Sequence, residues 1–278
     1  MSSVTLSVVQ LAGGLALLAA TMGPMAALGA GEDARHADVE DLLHRTIFFG
    51  HQSVGLNILD GVVELARLEG VGLRVAESRS ALGAAPGVIA HGTVADNGDP
   101  FRKIESFQQY FASGAGNAPE LAFMKFCYVD FPRGVDVAAL FARYQSALRQ
   151  LQARYPGTTF IHLTAPLTTA PGGWRPVIGR LLGRDTSEAQ NARREAFNTL
   201  VRQAYLGKEP LFDLARIEST GRDGRPASVE LDGRRVPVLV AAYSDDGGHL
   251  NAEGRQVVAR ELVRFLATVP AARSPRRP

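Results

Sequence analysis

Two short blocks at opposite ends of the chain hold the residue types that acyl chemistry needs. The first is Phe48-Phe-Gly-His-Gln-Ser-Val-Gly55. Thr46 to Phe49 is an apolar run closed by Gly50, and from Val54 the apolar residues Leu56, Ile58, Leu59, Val62, Val63, Leu65 and Leu68 recur at helical spacing until Gly70. Ser53 is therefore expected where a strand passes into a helix. A hydroxyl at that point meets free backbone N–H groups and the positive end of the helix dipole, which favour developing negative charge. Such a serine can be a nucleophile that also lends its N–H to an oxyanion, or it can simply cap the helix. The second block is Tyr243-Ser-Asp-Asp-Gly-Gly-His-Leu-Asn-Ala-Glu-Gly254. An aspartate three residues before a histidine can fold back onto one ring nitrogen and leave the other free to take a proton from serine, which suits Asp246 and His249. Asp245 is the rival orienter, and a plain polar turn with Asn251 capping the last helix is the alternative.

Other candidates follow the expected strands. His51 stands two residues before Ser53 and can contact substrate or donate near an oxyanion, or can be a solvent-exposed turn residue. Lys125 lies in Leu121-Ala-Phe-Met-Lys-Phe-Cys127, where a lone buried ammonium is costly, so it should pair with a carboxylate or emerge at the strand end near the site. Cys127 is the alternative nucleophile, although a single buried cysteine is usually an apolar filler. His162 alternates with Ile161 and Leu163 as a satisfied core group. Trp174, in the long loop Thr164 to Pro176, can stack on a sugar ring or plug the core.

The elements that must position these residues alternate. Strands are expected at 46–49, 71–76, 121–126, 159–164 and 211–214, and helices at 101–111, 137–155, 188–205 and 252–268 besides the one that begins after Ser53. The stretch between residue 76 and Pro100 reads as a glycine-rich loop. Strands alternating with helices give a parallel sheet covered on both faces, so the fold class is α/β, a doubly wound three-layer α/β/α sandwich of about five strands. Residues 228–231 and 234–240 flank Asp232-Gly233, which predicts a small β-hairpin near the site.

Composition sets the outer limits. With 46% hydrophobic and 21% charged residues, the chain can bury a sizeable core. Arg273, Arg276 and Arg277 in the tail outweigh the net charge of +2, so the domain offers no basic footprint for nucleic acid. One cysteine excludes an internal disulfide and a multi-thiolate metal site. No phosphate-cradling or dinucleotide motif occurs and no metal-ligand cluster, so no cofactor or metal is expected. The first thirty residues carry no charge and are apolar from Val8 to Leu28. They read as a signal peptide or N-terminal anchor over 1–30, with export to the periplasm or medium expected. The mature protein is expected to have no membrane span unless that segment is retained. A domain over 31–270 and a disordered basic tail over 271–278 complete the reading.

A serine after the first strand, together with Asp-x-x-His-Leu before the C-terminal helix, resembles the SGNH/GDSL hydrolases across Thr46 to about Leu266. The resemblance implies a flavodoxin-like sheet with Ser53 as nucleophile, His249 as base and Asp246 as its orienter. It departs at two places. Gly50-His51-Gln52-Ser53 replaces Gly-Asp-Ser with one extra residue, and Cys127-Tyr128-Val129-Asp130 replaces Gly-x-Asn-Asp, so the asparagine oxyanion donor is missing. For the family's backbone glycine donor, Gly98 in Ala95-Asp-Asn-Gly-Asp-Pro100 is the candidate and Gly92 the runner-up, with Asn97 as a possible side-chain donor. The activity implied is hydrolysis of a small-molecule or glycan ester, such as deacetylation outside the cytoplasm. O-acyl transfer on the same fold, or a carbohydrate-binding protein that has lost catalysis, are the alternatives.

Overall fold

The computed structural model describes residues 35–170, 184–270 and 272. The expected signal segment, Trp174 and all but one residue of the expected tail lie outside the described residues.

Six parallel strands form one sheet: β1 (Thr46–His51), β2 (Arg74–Glu77), β3 (Val88–Thr93), β4 (Leu121–Met124), β5 (Thr159–Leu163) and β6 (Leu211–Phe212), in the order β2-β3-β1-β4-β5-β6. The helices are α1 (Val54–Leu68), α2 (Pro100–Ala112), α3 (Val137–Arg154), α4 (Ser187–Tyr205), the short α5 (Leu214–Glu218) and α6 (Ala252–Thr268). Alternation along each strand sorts the core into two halves. Ile47, Phe49, Leu121, Phe123, Ile161 and Leu163 pack with α1 and α6. Phe48, Ala90, Ala122, Met124 and Phe160 pack with α2, α3 and α4 on the other face. This is the expected three-layer α/β/α sandwich, and each large aliphatic side chain buried in it, such as Ile58 or Leu262, contributes about 1.5–3 kcal/mol.

The strand missing from the sequence reading is β3, hidden in the expected glycine-rich loop. Its glycine is a packing device: a side chain at Gly92 would collide with the Tyr110 ring at 2.4–2.5 Å, so the small residue marks a close helix approach. Gly50 likewise does not end β1. The strand runs on to His51, and a Cβ at Gly50 would meet Phe107 at 2.7 Å.

Beside the sheet, β7 (Ser228–Leu231) and β8 (Arg234–Pro237) form the expected hairpin, turning through Asp232 and Gly233, both at positive φ. It packs against α4, and Val238 N–H donating to Ala227 O extends the pairing one step beyond the two strands.

The sheet places its switch point at β1, because the chain first goes out to β2, returns to β3 beside β1, and then crosses to β4, β5 and β6. Loops leaving β1, β3 and β4 therefore converge at one place, where open α/β sheets bind ligands.

Candidate active site

Ser53 sits in the turn that ends β1 and opens α1, with φ 46° and ψ −102°. A side-chain-bearing residue in that region costs on the order of 1–3 kcal/mol, and such strain concentrates at functional turns. Its hydroxyl makes no capping bond, so helix capping does not explain this serine. Instead Ser53 Oγ is hydrogen-bonded to His249 Nε2. Among the described residues the Ser53 N–H has no acceptor.

His249 reaches Ser53 because α6 packs along α1. A Cβ on Gly61 would meet Arg255 O at 2.6 Å and the Ala259 methyl at 2.9 Å, so glycine is what lets the two backbones approach. Asn57, one turn into α1, accepts the Leu250 N–H at 3.3 Å through Oδ1. Asn251 caps α6 by accepting the Gly254 N–H at 3.1 Å. These contacts hold the histidine loop where it enters α6.

Asp246 Oδ2 lies 2.6 Å from His249 Nδ1, while its other oxygen accepts the N–H groups of Gly248 and His249 at 2.9 and 2.8 Å. Those two amides and the imidazole hold the Asp246 carboxyl well below the usual carboxylate range. An ionised carboxylate only accepts, so Nδ1 carries the proton and Nε2 presents a lone pair to which the serine hydroxyl donates. Asp245, the rival orienter, instead accepts from Asn251 Nδ2 at 3.0 Å.

Tyr128 flanks the imidazole, its ring edge-on at 5.6 Å and its hydroxyl 3.5 Å from Nδ1. A Cβ on Gly248 would strike that ring at 2.7 Å. Burial and the nearby Asp246 charge raise the Tyr128 pKa, which keeps the phenol protonated. A cleft of about 390 Å³ opens here, lined by Tyr128, Thr168, Thr169, Ser187, Gln190 and Asp246 among others. A larger groove of about 810 Å³ lies at the β6 edge between the hairpin and α6 and contains none of these groups. The smaller cleft is the one that borders the histidine loop, through Asp246, Gly247 and Gly248.

The loop after β3 is tied to the serine turn by Val94 N–H donating to His51 O at 3.0 Å and Gln52 Nε2 to Ala95 O at 2.6 Å. The Gly98 N–H, expected to face an oxyanion, instead donates to Asp130 Oδ1 at 2.8 Å. The runner-up, Gly92, is inside β3. Asn97 Oδ1 accepts from Lys103 Nζ at 2.8 Å, and the same ammonium forms a fully buried ion pair with Asp130 at 2.7 Å. Asp130 also accepts the Cys127 N–H at 2.6 Å. One carboxylate thus joins the loops after β3 and β4 across sequence distances that no local pattern reveals.

His51 turns inward. It is 1% exposed, and its Nε2 lies 3.0 Å from His91 Nδ1. Burial, then the neighbouring Lys125 charge and His91, push its pKa down to about 3, so the ring is neutral. Its position requires Gly55, whose Cβ would stand 2.4 Å from the His51 Cβ.

Lys125 is also buried and finds no carboxylate at ion-pair distance among the described residues. Nζ donates to Phe126 O at 3.2 Å and lies 3.6 Å from the sulfur of the buried Cys127. Burial lowers its pKa. His162 is the satisfied core histidine expected, held by Tyr144 at 3.0 Å and Glu209 at 3.1 Å and stacked on Tyr205.

No family model matches the chain, and no curated protein matches it. Solved structures are similar over most of its length. An acetyl xylan esterase, AlAXEase, matches at 14% identity and TM-score 0.46 over 80% of this chain and 98% of its own. A protein of the G-D-S-L family from Desulfitobacterium hafniense DCB-2 matches at 8% identity and TM-score 0.46 over 79% and 99%. The periplasmic domain of a lipopolysaccharide acetyltransferase from Salmonella ser. Paratyphi A matches at 11% identity and TM-score 0.41 over 89% and 98%.

Proposed function

We propose that this chain is a divergent SGNH-type serine acyl hydrolase, exported from the cytoplasm and acting on a small-molecule or glycan ester. The single observation that carries the reading is the chain of contacts from Ser53 through His249 to Asp246. In this mechanism Ser53 Oγ attacks the ester carbonyl carbon while His249 Nε2 takes its proton, and the negative charge moves to the carbonyl oxygen near the Ser53 N–H. Collapse of the tetrahedral species expels the alcohol, protonated by His249, and leaves an acyl-serine. Water, activated by the same imidazole, then releases the acid. Asp246 keeps the ring in the productive tautomer and stabilises the imidazolium that forms in each half.

The cleft beside Asp246 presents Thr169, Ser187 and Tyr128 with Val129 as its apolar member, which supports a polar alcohol over a long apolar chain. Export rests on the uncharged, apolar first thirty residues.

The test is hydrolysis of short-chain aryl acetates by the purified protein, beside S53A and H249A variants shown to be folded. Turnover lost in both variants supports the reading. Turnover that survives both substitutions would sink it.

A further inference from the structure

Arg194 on α4 is fully buried. Among the described residues no carboxylate lies within ion-pair distance of it, and Glu218 and Asp185 act on it only from longer range. Burying a guanidinium without a direct carboxylate partner is costly. Burial and the neighbouring Arg193 charge push its pKa down to about 10, so the cation persists at neutral pH. Its N–H groups are spread over three separate pieces of chain. Nε donates to Tyr128 O at 2.8 Å in the loop after β4, and Nη1 to Thr168 Oγ1 at 2.9 Å in the loop after β5. On α4 itself Nη1 also donates to Asn191 Oδ1, and Nη2 to Gln190 Oε1 at 3.0 Å. A planar fork of donors can hold several acceptors at fixed angles.

The acceptors on the two loops both lead to the histidine loop. The Tyr128 ring centre lies 5.9 Å from the guanidinium carbon and 5.6 Å from the His249 ring, which it meets edge-on, and it leaves no room for a Cβ on Gly248. Thr169, next to Thr168, donates its N–H to Gly247 O at 2.9 Å. Arg194 thus reaches the segment before His249 by two routes from α4, while Asn57 holds the residue after it from α1. Arg193 is the contrast on the same helix. It donates to Phe131 O at 2.9 Å and pairs with Asp185 at 2.6 Å, and among the described residues it has no hydrogen bond to Tyr128, Thr168 or the histidine loop.

Resting on the serine hydrolase reading, we infer that Arg194 is a positioning residue for the general base, holding His249 in line with Ser53 through Tyr128 and through the link from Thr168 and Thr169 to Gly247. Its four hydrogen bonds all go to protein groups, so it acts through these residues rather than on the ester. A lysine here would keep the charge but is a point donor that cannot span acceptors arranged around a planar fork.

The experiment measures the rate constant for phosphonylation of Ser53 by an alkyl fluorophosphonate, with the labelled peptide located by mass spectrometry, for wild type, R194K, R194M, T168V and R193M. In this reaction Ser53 Oγ bonds to phosphorus, fluoride leaves, and His249 takes the serine proton, so the rate reports the base without knowledge of the natural ester. Thermal melts fix a temperature at which the compared variants are folded. R194K and R194M should label slower by about 10- to 100-fold, and T168V, which cuts one route, by a smaller factor. R193M should label near the wild-type rate even where it melts lower. A role confined to stability lowers the melts of R194K, R194M and T168V but leaves their labelling rates near wild type, and that result overturns the inference. Equal rate losses in R193M and the Arg194 variants overturn it too, because they reflect a general loosening of the turn after β4. If neither Arg194 variant folds, T168V decides: slower labelling supports the inference and wild-type labelling overturns it. Failure of wild type to label at Ser53 overturns the nucleophile itself, and this inference with it.

Discussion

Asn57 Oδ1 accepts the backbone N–H of Leu250 at 3.3 Å, so the helix that begins after Ser53 also holds the residue that follows His249. Ser53 and His249 are thereby positioned by a shared part rather than by two independent loops. Replacing Asn57 by Ala should cost about 0.5–1.5 kcal/mol of stability. Turnover should fall by about tenfold or more, because small displacements of a base are amplified in rate. N57D retains the accepting oxygen and should keep most of the activity. Steady-state kinetics on the two variants check this, and equal losses would remove Asn57 from the positioning scheme.

Ser53 is held at φ 46°, a conformation that glycine adopts freely. S53A and S53G should both lose turnover. S53G should nonetheless melt higher than S53A, by the equivalent of about 1 kcal/mol, the left-handed penalty of a β-carbon. Denaturant titrations of the two inactive variants compare them directly. A less stable S53G would mean that the turn is not strained.

Asp246 and Asp245 are adjacent but have different partners, His249 for the first and Asn251 for the second. D246N should lower kcat by about 10² or more through loss of the productive tautomer, and D245N should remain close to wild type. Comparable losses in both would show that the carboxylates exchange roles.

Glu218 is fully buried, with one oxygen accepting the Leu167 N–H at 2.7 Å and the other unpartnered among the described residues. Burial pushes its pKa up to about 8, against the lowering influence of the Leu167 N–H, Lys125 and Arg194. Between about pH 4.3, where a free glutamate ionises, and about pH 8, the unfolded chain binds fewer protons than the folded one. Stability should therefore fall with rising pH in that window, by up to about 1.4 kcal/mol per pH unit from this group. E218Q removes the titration, so the stability difference between E218Q and wild type should grow in favour of the variant toward pH 8. Urea titrations at several pH values measure it, and a difference independent of pH would mean that Glu218 stays ionised in the folded protein.

The two chemical blocks were legible in the sequence because their signals are local. Ser53 follows a strand and precedes a regular apolar helix, and Asp246 and His249 are three apart. The alternation of strands and helices also sufficed for the fold class. It missed β3 because His91 and Gly92 interrupt its apolar run, and the reason for Gly92 is the Tyr110 ring on another element. Lys103 and Asp130 lie 27 residues apart on different loops and helices, so nothing short of the folded sheet brings them together. Gly98 showed the limit of analogy: its position was readable, but the direction of its N–H depended on that distant carboxylate. His51 was expected in a turn, yet β1 continues past Gly50 and carries the ring inward against His91.

The Ser53–His249 contact joins residues 196 positions apart, across the seam where α1 meets α6. A chain emerging from the ribosome makes Ser53 early and His249 almost last, so on the proposed hydrolase reading no partial product holds the complete Ser53–His249–Asp246 set. Under that reading the seam is a completion signal, since the three side chains meet only after the final helix has docked on the first. Recovery of the proposed activity in a refolding experiment would then time the closure of the whole domain, and fragments ending before residue 249 should be inactive even where their strands have paired.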